Sequence, residues 1–120
     1  MQDFIKTVIP SNMKNLQIGT KEFLELYNDG KCELLDIRVE YETKVWQMNF
    51  GLRIPAPQLP QRLNELPKNK LIVVACPRSN RSNMASTYLL TQGFEARYLQ
   101  DGLLGLMGHL RGVDAQDITI

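Results

Sequence analysis

A chain of 120 residues is long enough to bury a core as one domain and too short for two, so residues 1–120 read as a single domain. Apolar residues at 43% and charged residues at 22% are ordinary for a folded protein and exclude long disordered tails. Fourteen basic against thirteen acidic residues leave a formal charge of +1, which excludes any sequence-independent attraction to nucleic acid or to an anionic membrane.

No run reaches membrane-spanning length, and Met1 to Pro10 carries Asp3 and Lys6 where a secretory leader has an unbroken apolar stretch. A cytoplasmic protein is expected, in which Cys32 and Cys76 do not form a structural disulfide. In chain order, Gly19-Thr20 marks a helix start with Thr20 as N-cap. Phe23, Leu24, Leu26 and Tyr27 give that helix an apolar face, and Gly30 ends it. Glu33 to Ile37 reads as a short buried strand, with Asp36 where a strand of an α/β protein hands over to a loop. Val39 to Trp46 follows as a short helix, Leu52 to Ile54 as a short strand that Pro55 and Pro57 terminate, and Gln61 to Leu66 as another short helix.

The strongest element is Lys70 to Ala75, whose LIVVA run fits a strand buried on both faces, as in a parallel sheet. Cys76 follows immediately. Beyond Cys76 to Ser82 the period changes: Met84, Ala85, Tyr88 and Leu89 fall at helical spacing, and Gly93 supplies the stop. Ala96 to Leu99 reads as one more strand and Leu103 to Leu110 as one more short helix. This alternation predicts an α/β fold, a doubly wound, mostly parallel sheet with helices on both faces. Ligands in such folds sit beyond the carboxyl ends of the strands, which is where Cys76 falls.

A cysteine between a buried strand and a helix start meets a cluster of backbone N–H groups and the positive end of the helix dipole, which favours its thiolate. Arg78 and Arg81 in the same loop add positive charge. From Gly51 to Ser82 six basic residues face one acid, Glu65. That run is either a solvated face around one loop or a pocket for a small anion.

The segment Cys76-Pro77-Arg78-Ser79-Asn80-Arg81-Ser82 resembles the active-site loop of the rhodanese family, in which a cysteine opens a six-residue loop ending in arginine. Leu34-Leu35-Asp36-Ile37-Arg38 is similar to that family's early Asp-x-Arg segment, with Glu42 at its acidic position. Ile54-Pro55 falls on its Ile-Pro, and Gly93-Phe94 with Leu99 to Gly102 resemble its last strand and turn. The resemblance covers roughly residues 18–110, the expected core. It implies Cys76 as sulfur carrier, Arg81 as the loop arginine, and Ser82 as the cap between loop and helix. Arg78, Ser79, Asn80 and Ser82 then surround the substrate, and Asp36 with Arg38 supports the loop.

Departures from the family pattern bear on substrate choice more than on chemistry. Trp46-Gln47-Met48 stands where the family commonly has Gly-His-Ile, and Leu106 replaces a tryptophan. Pro77 has no N–H, which leaves four loop donors through Arg81. Ser79 replaces a glycine and loses its freedom to adopt positive φ, while its hydroxyl can donate to a persulfide. By the same resemblance, Cys-x4-Arg is one residue shorter than the Cys-x5-Arg cradle of cysteine phosphatases, which suits a single sulfur atom better than a tetrahedral phosphate.

The implied activity is a sulfurtransferase of the rhodanese, or thiosulfate sulfurtransferase, type. Cys76 takes sulfane sulfur from a small anionic donor such as thiosulfate, polysulfide or a persulfide, and gives it to cyanide or a thiol, including a protein thiol. No metal or organic cofactor is implied. The only histidine, His109, reads as a partly exposed helix residue and Cys32 as buried structure. Two alternatives remain open at this point: a catalytically inactive rhodanese-like interaction module, and a redox sensor that pairs Cys32 with Cys76.

Overall fold

The structure, a computed structural model, describes residues 16–120; the reading of Met1 to Pro10 lies outside the described residues. Five strands, β1 (Gln17–Ile18), β2 (Cys32–Asp36), β3 (Leu52–Arg53), β4 (Leu71–Ala75) and β5 (Ala96–Leu99), pair in the order β1-β5-β4-β2-β3. Every pairing is parallel. The LIVVA run takes an interior position, and its two-residue period sorts the core. Ile72 and Val74 pack with Leu59, Ala85 and Leu89 on one face, while Val73 and Ala75 pack with Phe23, Leu103 and Leu106 on the other. Ile72, Val73 and Val74 are wholly buried, each stabilising the fold by roughly 1.5–3 kcal/mol of transfer free energy.

Helices α1 (Thr20–Asn28) and α4 (Gly102–His109) contribute to the second of these clusters. Helix α3 (Asn80–Thr91) and two 3-10 turns, Ala56–Gln61 and Leu63–Glu65, contribute to the first. The expected doubly wound sheet with helices on both faces is therefore what forms. From β2 the chain moves outward to β3, and from β4 it moves the opposite way to β5. The strand order thus reverses between β2 and β4, where Asp36 pairs with Ala75, and such a crevice is the usual ligand position in open α/β sheets. Among the described residues no helix is long and apolar enough to cross a membrane.

Several boundaries differ from the sequence reading, each for a local reason. Thr20 is the first helical residue and Gly19 is the N-cap, while the Thr20 hydroxyl turns to the Asp101 carboxylate at 3.4 Å. Gly30 follows at φ +73, the left-handed conformation that ends the helix. Only one turn, α2 (Glu40–Thr43), forms in the stretch from Val39 to Trp46, and the Trp46 carbonyl accepts from the Arg38 guanidinium at 3.1 Å. The segment from Gln61 to Leu66 does not form an α-helix. Arg62 (φ −124, ψ 21) and Leu66 (φ −94, ψ 136) lie outside the helical region, Leu66 because the following Pro67 disfavours it, and the chain takes 3-10 turns instead. Strand β1 and a 3-10 turn at Gly112–Asp117 were not read from the sequence.

Cys32 opens β2 opposite Leu71, five residues before Cys76, so about 16 Å of strand separates the two levels of the sheet. The two side chains also belong to different core clusters. A disulfide requires Cα atoms within about 7 Å, so the pairing that a Cys32–Cys76 redox sensor needs does not form in this fold, and both thiols are free.

Burial, with help from Glu33, pushes the Cys32 thiol up to about 12 from its ordinary 9.0. The unfolded chain releases this proton at lower pH than the folded chain. The resulting stability is complete below about 9 and declines as pH rises toward about 12. Urea midpoints of the native protein are accordingly expected to fall more steeply over that window than those of Cys32→Ala. Equal slopes would show that the thiol is not held protonated by the fold.

Candidate active site

Cys76 continues the Ile72 and Val74 side of β4 and is fully buried. Its carbonyl accepts the N–H of Leu103 at 2.8 Å, and the Pro77 carbonyl accepts that of Leu104 at 3.1 Å. The first turn of α4 thus finds acceptors for donors that a helix start leaves unpaired. Close approach is possible because Gly102 has no side chain: a Cβ there would lie 2.2 Å from the Arg78 carbonyl oxygen, 2.3 Å from that of Pro77 and at φ +68.

With the carbonyls held from behind, the loop turns into α3. The Ser82 N–H donates to Cys76 Sγ at 3.4 Å, the Cys76 thiol donates to Ser82 Oγ at 3.4 Å, and that hydroxyl donates to the Ser79 carbonyl at 3.1 Å. The N–H groups of Arg78, Ser79, Asn80 and Arg81 donate to no acceptor among the described residues. Four backbone donors are therefore available beside a buried sulfur.

Arg81 reaches back across the chain to Glu42, with Nη1 2.7 Å from Oε1 and Nη2 3.0 Å from Oε2. This bidentate bond holds the Glu42 carboxyl below its ordinary range and raises the Arg81 guanidinium. Glu42 Oε1 also accepts the Val39 N–H at 3.2 Å, so the carboxylate is fixed to the start of α2. Beneath it lies a buried pair. The Asp36 carboxylate accepts Arg38 Nη2 at 2.8 Å and Nε at 3.1 Å, and also the Arg38 backbone N–H at 3.0 Å. The Arg38 guanidinium stacks 4.0 Å from the centre of the Trp46 ring.

The structure brings together most of the residues singled out from the sequence, with corrections of role. Ser82 is not the cap: α3 begins at Asn80, Ser79 takes the N-cap position, and Ser82 lies inside the first turn in contact with the sulfur. The helix starts earlier because the Ser79 carbonyl accepts the Asn83 N–H at 2.9 Å. Ser79 has φ −142, so the loop makes no use of the left-handed conformation that its glycine counterpart would allow. Asp36 and Arg38 make no hydrogen bond to the loop; they hold the Trp46 segment. Arg78 and Asn80 are exposed, and Arg78 makes no ion pair among the described residues. His109, as expected, is partly exposed at the end of α4, where it meets Asp117 at 2.8 Å. Gly102 and the Glu42–Arg81 bond were not predicted. The signal for Glu42 was its place in the family pattern, whereas a loop-packing glycine has no period to betray it.

The Rhodanese-like domain profile matches residues 19–108 of this chain. The chain belongs to that family. It is 31% identical over 77 residues to a protein of Allochromatium vinosum named sulfurtransferase, covering 63% of this chain and 72% of that one. It is 28% identical over 109 residues to a tRNA uridine(34) hydroxylase of Pelagibacter ubique, covering 88% of this chain and only 36% of the hydroxylase. Among solved structures, a full-length protein from Lactobacillus plantarum superposes with a TM-score of 0.72 at 27% identity, covering 90% of this chain and 93% of that one.

The packing of the loop against α4 generates a stability test. Gly102→Ala places a methyl group against two carbonyl oxygens at positive φ, and is expected to destabilise the protein by more than about 2 kcal/mol in chemical denaturation. A methyl group on Gly108, in the same helix, would meet nothing within 4 Å, so Gly108→Ala is expected to be neutral or to stabilise by up to about 1 kcal/mol. Similar effects of the two changes would show that the loop is not fixed from behind.

Proposed function

We propose that this protein is a sulfurtransferase of the rhodanese type that carries sulfane sulfur as a persulfide on Cys76. The observation that carries the proposal is the buried Cys76 sulfur with the Ser82 N–H directed at it and four further loop N–H groups without acceptors beside it. Family membership and the sulfurtransferase relative support the reading.

In the first half-reaction the Cys76 thiolate attacks the outer sulfur of thiosulfate, polysulfide or a persulfide. A bond forms between Sγ and that sulfur, the donor's own bond to it breaks, and the leaving group departs with the electron pair. In the second, a thiol or cyanide attacks the outer sulfur and regenerates the thiolate. Loop amides and the α3 N-terminus stabilise the negative charge on the carried sulfur, as donors in an oxyanion hole do. Ser82 serves this through its N–H and hydroxyl. Arg81, tied to Glu42, fixes the loop and supplies a standing positive charge, and Arg78 draws anionic donors from solution. Asp36 and Arg38 act at one remove by seating the turn that presents Glu42.

Incubation with thiosulfate or polysulfide is expected to add one sulfur atom to Cys76, seen by intact-protein and peptide mass spectrometry, and cyanide or thiol is expected to remove it. Cys32 is expected to stay unmodified. Cys76→Ser is expected to abolish transfer while retaining the fold, and steady-state kinetics of the native protein should be ping-pong. Transfer surviving in Cys76→Ser would remove Cys76 as carrier, and a folded protein that accepts no sulfur would favour the interaction-module alternative.

Loss of the Ser82 hydroxyl is expected to leave the backbone donor in place. Ser82→Ala should therefore retain sulfur loading with donor kcat/KM lowered by about tenfold, the scale of one hydrogen bond to a charged group. An unchanged kcat/KM would show that the hydroxyl plays no part.

A further inference from the structure

The loop has donors for one sulfur atom, so the group that delivers the sulfur must rest on what surrounds the loop. Beside it lies a cleft of about 280 Å³ between the 3-10 turn at Ala56–Gln61 and the outer face of α3. Leu59 and Ala85 line it and belong to the same buried cluster as Cys76, and Arg81, the last residue of the Cys76 loop, is part of its wall, so the cleft adjoins the loop. Pro60, Met84 and Tyr88 complete the walls. Met84 is 76% exposed, a long apolar side chain left in water at the cleft's edge.

Arg81 is the one charged residue of the lining, and both of its Nη atoms are already taken by Glu42. A carboxylate-bound guanidinium offers little to a second anionic group, whereas the walls offer dispersion contact and dehydration to a carbon substituent. The size is that of one modest organic group, since pockets for whole drug-sized ligands begin at about 300 Å³.

We propose that this cleft holds an apolar carbon group of the sulfur donor, so that Cys76 takes sulfur from organic donors bearing an aryl or branched alkyl group in preference to donors without one. Met84 and Tyr88 are the specificity-determining residues. The inference rests on the reading of Cys76 as sulfur carrier. For a thiosulfonate, R–SO₂–S⁻, the Cys76 thiolate bonds to the outer sulfur, the bond between the two donor sulfurs breaks, and the sulfinate R–SO₂⁻ leaves with the electron pair. The product on the enzyme is the Cys76 persulfide anion, and no other oxidant or reductant takes part.

The experiment compares benzenethiosulfonate with methanethiosulfonate, which share charge and reacting atoms and differ in the carbon group. Donor kcat/KM is measured at saturating cyanide, each divided by the rate of the same donor with free cysteine. The benzene donor is expected to be preferred by about tenfold or more, the scale on which apolar pockets discriminate. Met84→Glu is expected to bring the preference toward one, because both donors meet the same added charge while only one loses an apolar wall. Met84→Leu is expected to keep it. No preference in the native protein, or a preference unaltered by Met84→Glu, overturns the assignment of the cleft. Mass spectrometry after each donor separates the two readings. Sulfur on Cys76 from both donors without preference removes the cleft and leaves the carrier standing, whereas no sulfur on Cys76 from either removes both.

Discussion

The arrangement around Cys76 depends on the contact between the back of its loop and the start of α4. A trans peptide unit points its C=O and N–H in opposite directions. Holding the Pro77 carbonyl against Leu104 therefore aims the Arg78 N–H away from α4. The same contact gives acceptors to two helix-start donors that would otherwise be orphaned under a packed loop. The helix needs the loop's carbonyls as much as the loop needs the helix's amides. Only glycine at position 102 permits the approach, because any Cβ would fall inside the van der Waals distance of two backbone oxygens.

A second layer of control is ionic and is graded by depth. The Asp36–Arg38 pair has side-chain exposures of 4% and 1%, so its charges gain little help from water. Breaking such a pair is expensive even where forming it contributes little net stability. Its effect is geometric: a guanidinium committed to Asp36, the Trp46 carbonyl and the Trp46 ring ties the end of β2 to the segment after α2. Glu42 is thereby held in position for Arg81, in a pair that is partly exposed, at 27% and 42%. A partly solvated pair of this kind is weak as a source of stability. Its bidentate geometry still fixes the orientation of the first turn of α3, and with it the Ser82 N–H on Cys76.

What could be read from the sequence follows how local each cause is. The LIVVA run before Cys76 is a local signal, and β4 starts one residue from its expected bound; Ala96 to Leu99 matched without adjustment. The start of α3 was misplaced because Ser82 reads as a good cap, yet capping depends on which carbonyl the following amides can reach, and that is Ser79. Strand β1 has only two residues and is defined by β5, so no period existed to detect. The short helix expected from Gln61 to Leu66 failed because Arg62 leaves the helical region and Leu66 is held extended before Pro67. Among the residues gathered at the loop, Cys76, Arg81 and Ser82 were singled out from spacing and family pattern, but their partners Glu42 and Gly102 act across gaps of 39 and of more than 20 positions in the chain. Such long-range contacts carry no local signature.

The basic run from Gly51 to Ser82 shows how charge in a sequence is redistributed by a fold. Read as a block, it suggested either a solvated face or a pocket for an anion. In the structure its members have separate employments. Arg62 pairs with Glu65 and also meets Gln58, Arg81 pairs with Glu42, Lys68 lies over the Phe94 ring, and Arg53 reaches the Met48 carbonyl. Of these side chains only Arg81 stands near Cys76. Arg78 remains as an exposed cation on the loop itself, where it can raise the local concentration of an anion without enclosing it. Selectivity at the sulfur must then come from what the loop's neighbours present at contact distance, and those neighbours are carbon: Leu59, Pro60, Met84 and Tyr88 on one side of the Arg81–Glu42 bond, Tyr41, Val45 and Leu104 on the other. On the proposed reading of Cys76 as a sulfur carrier, the backbone provides for the charge of a single sulfur atom, and the apolar side chains around it provide for the carbon group of the donor.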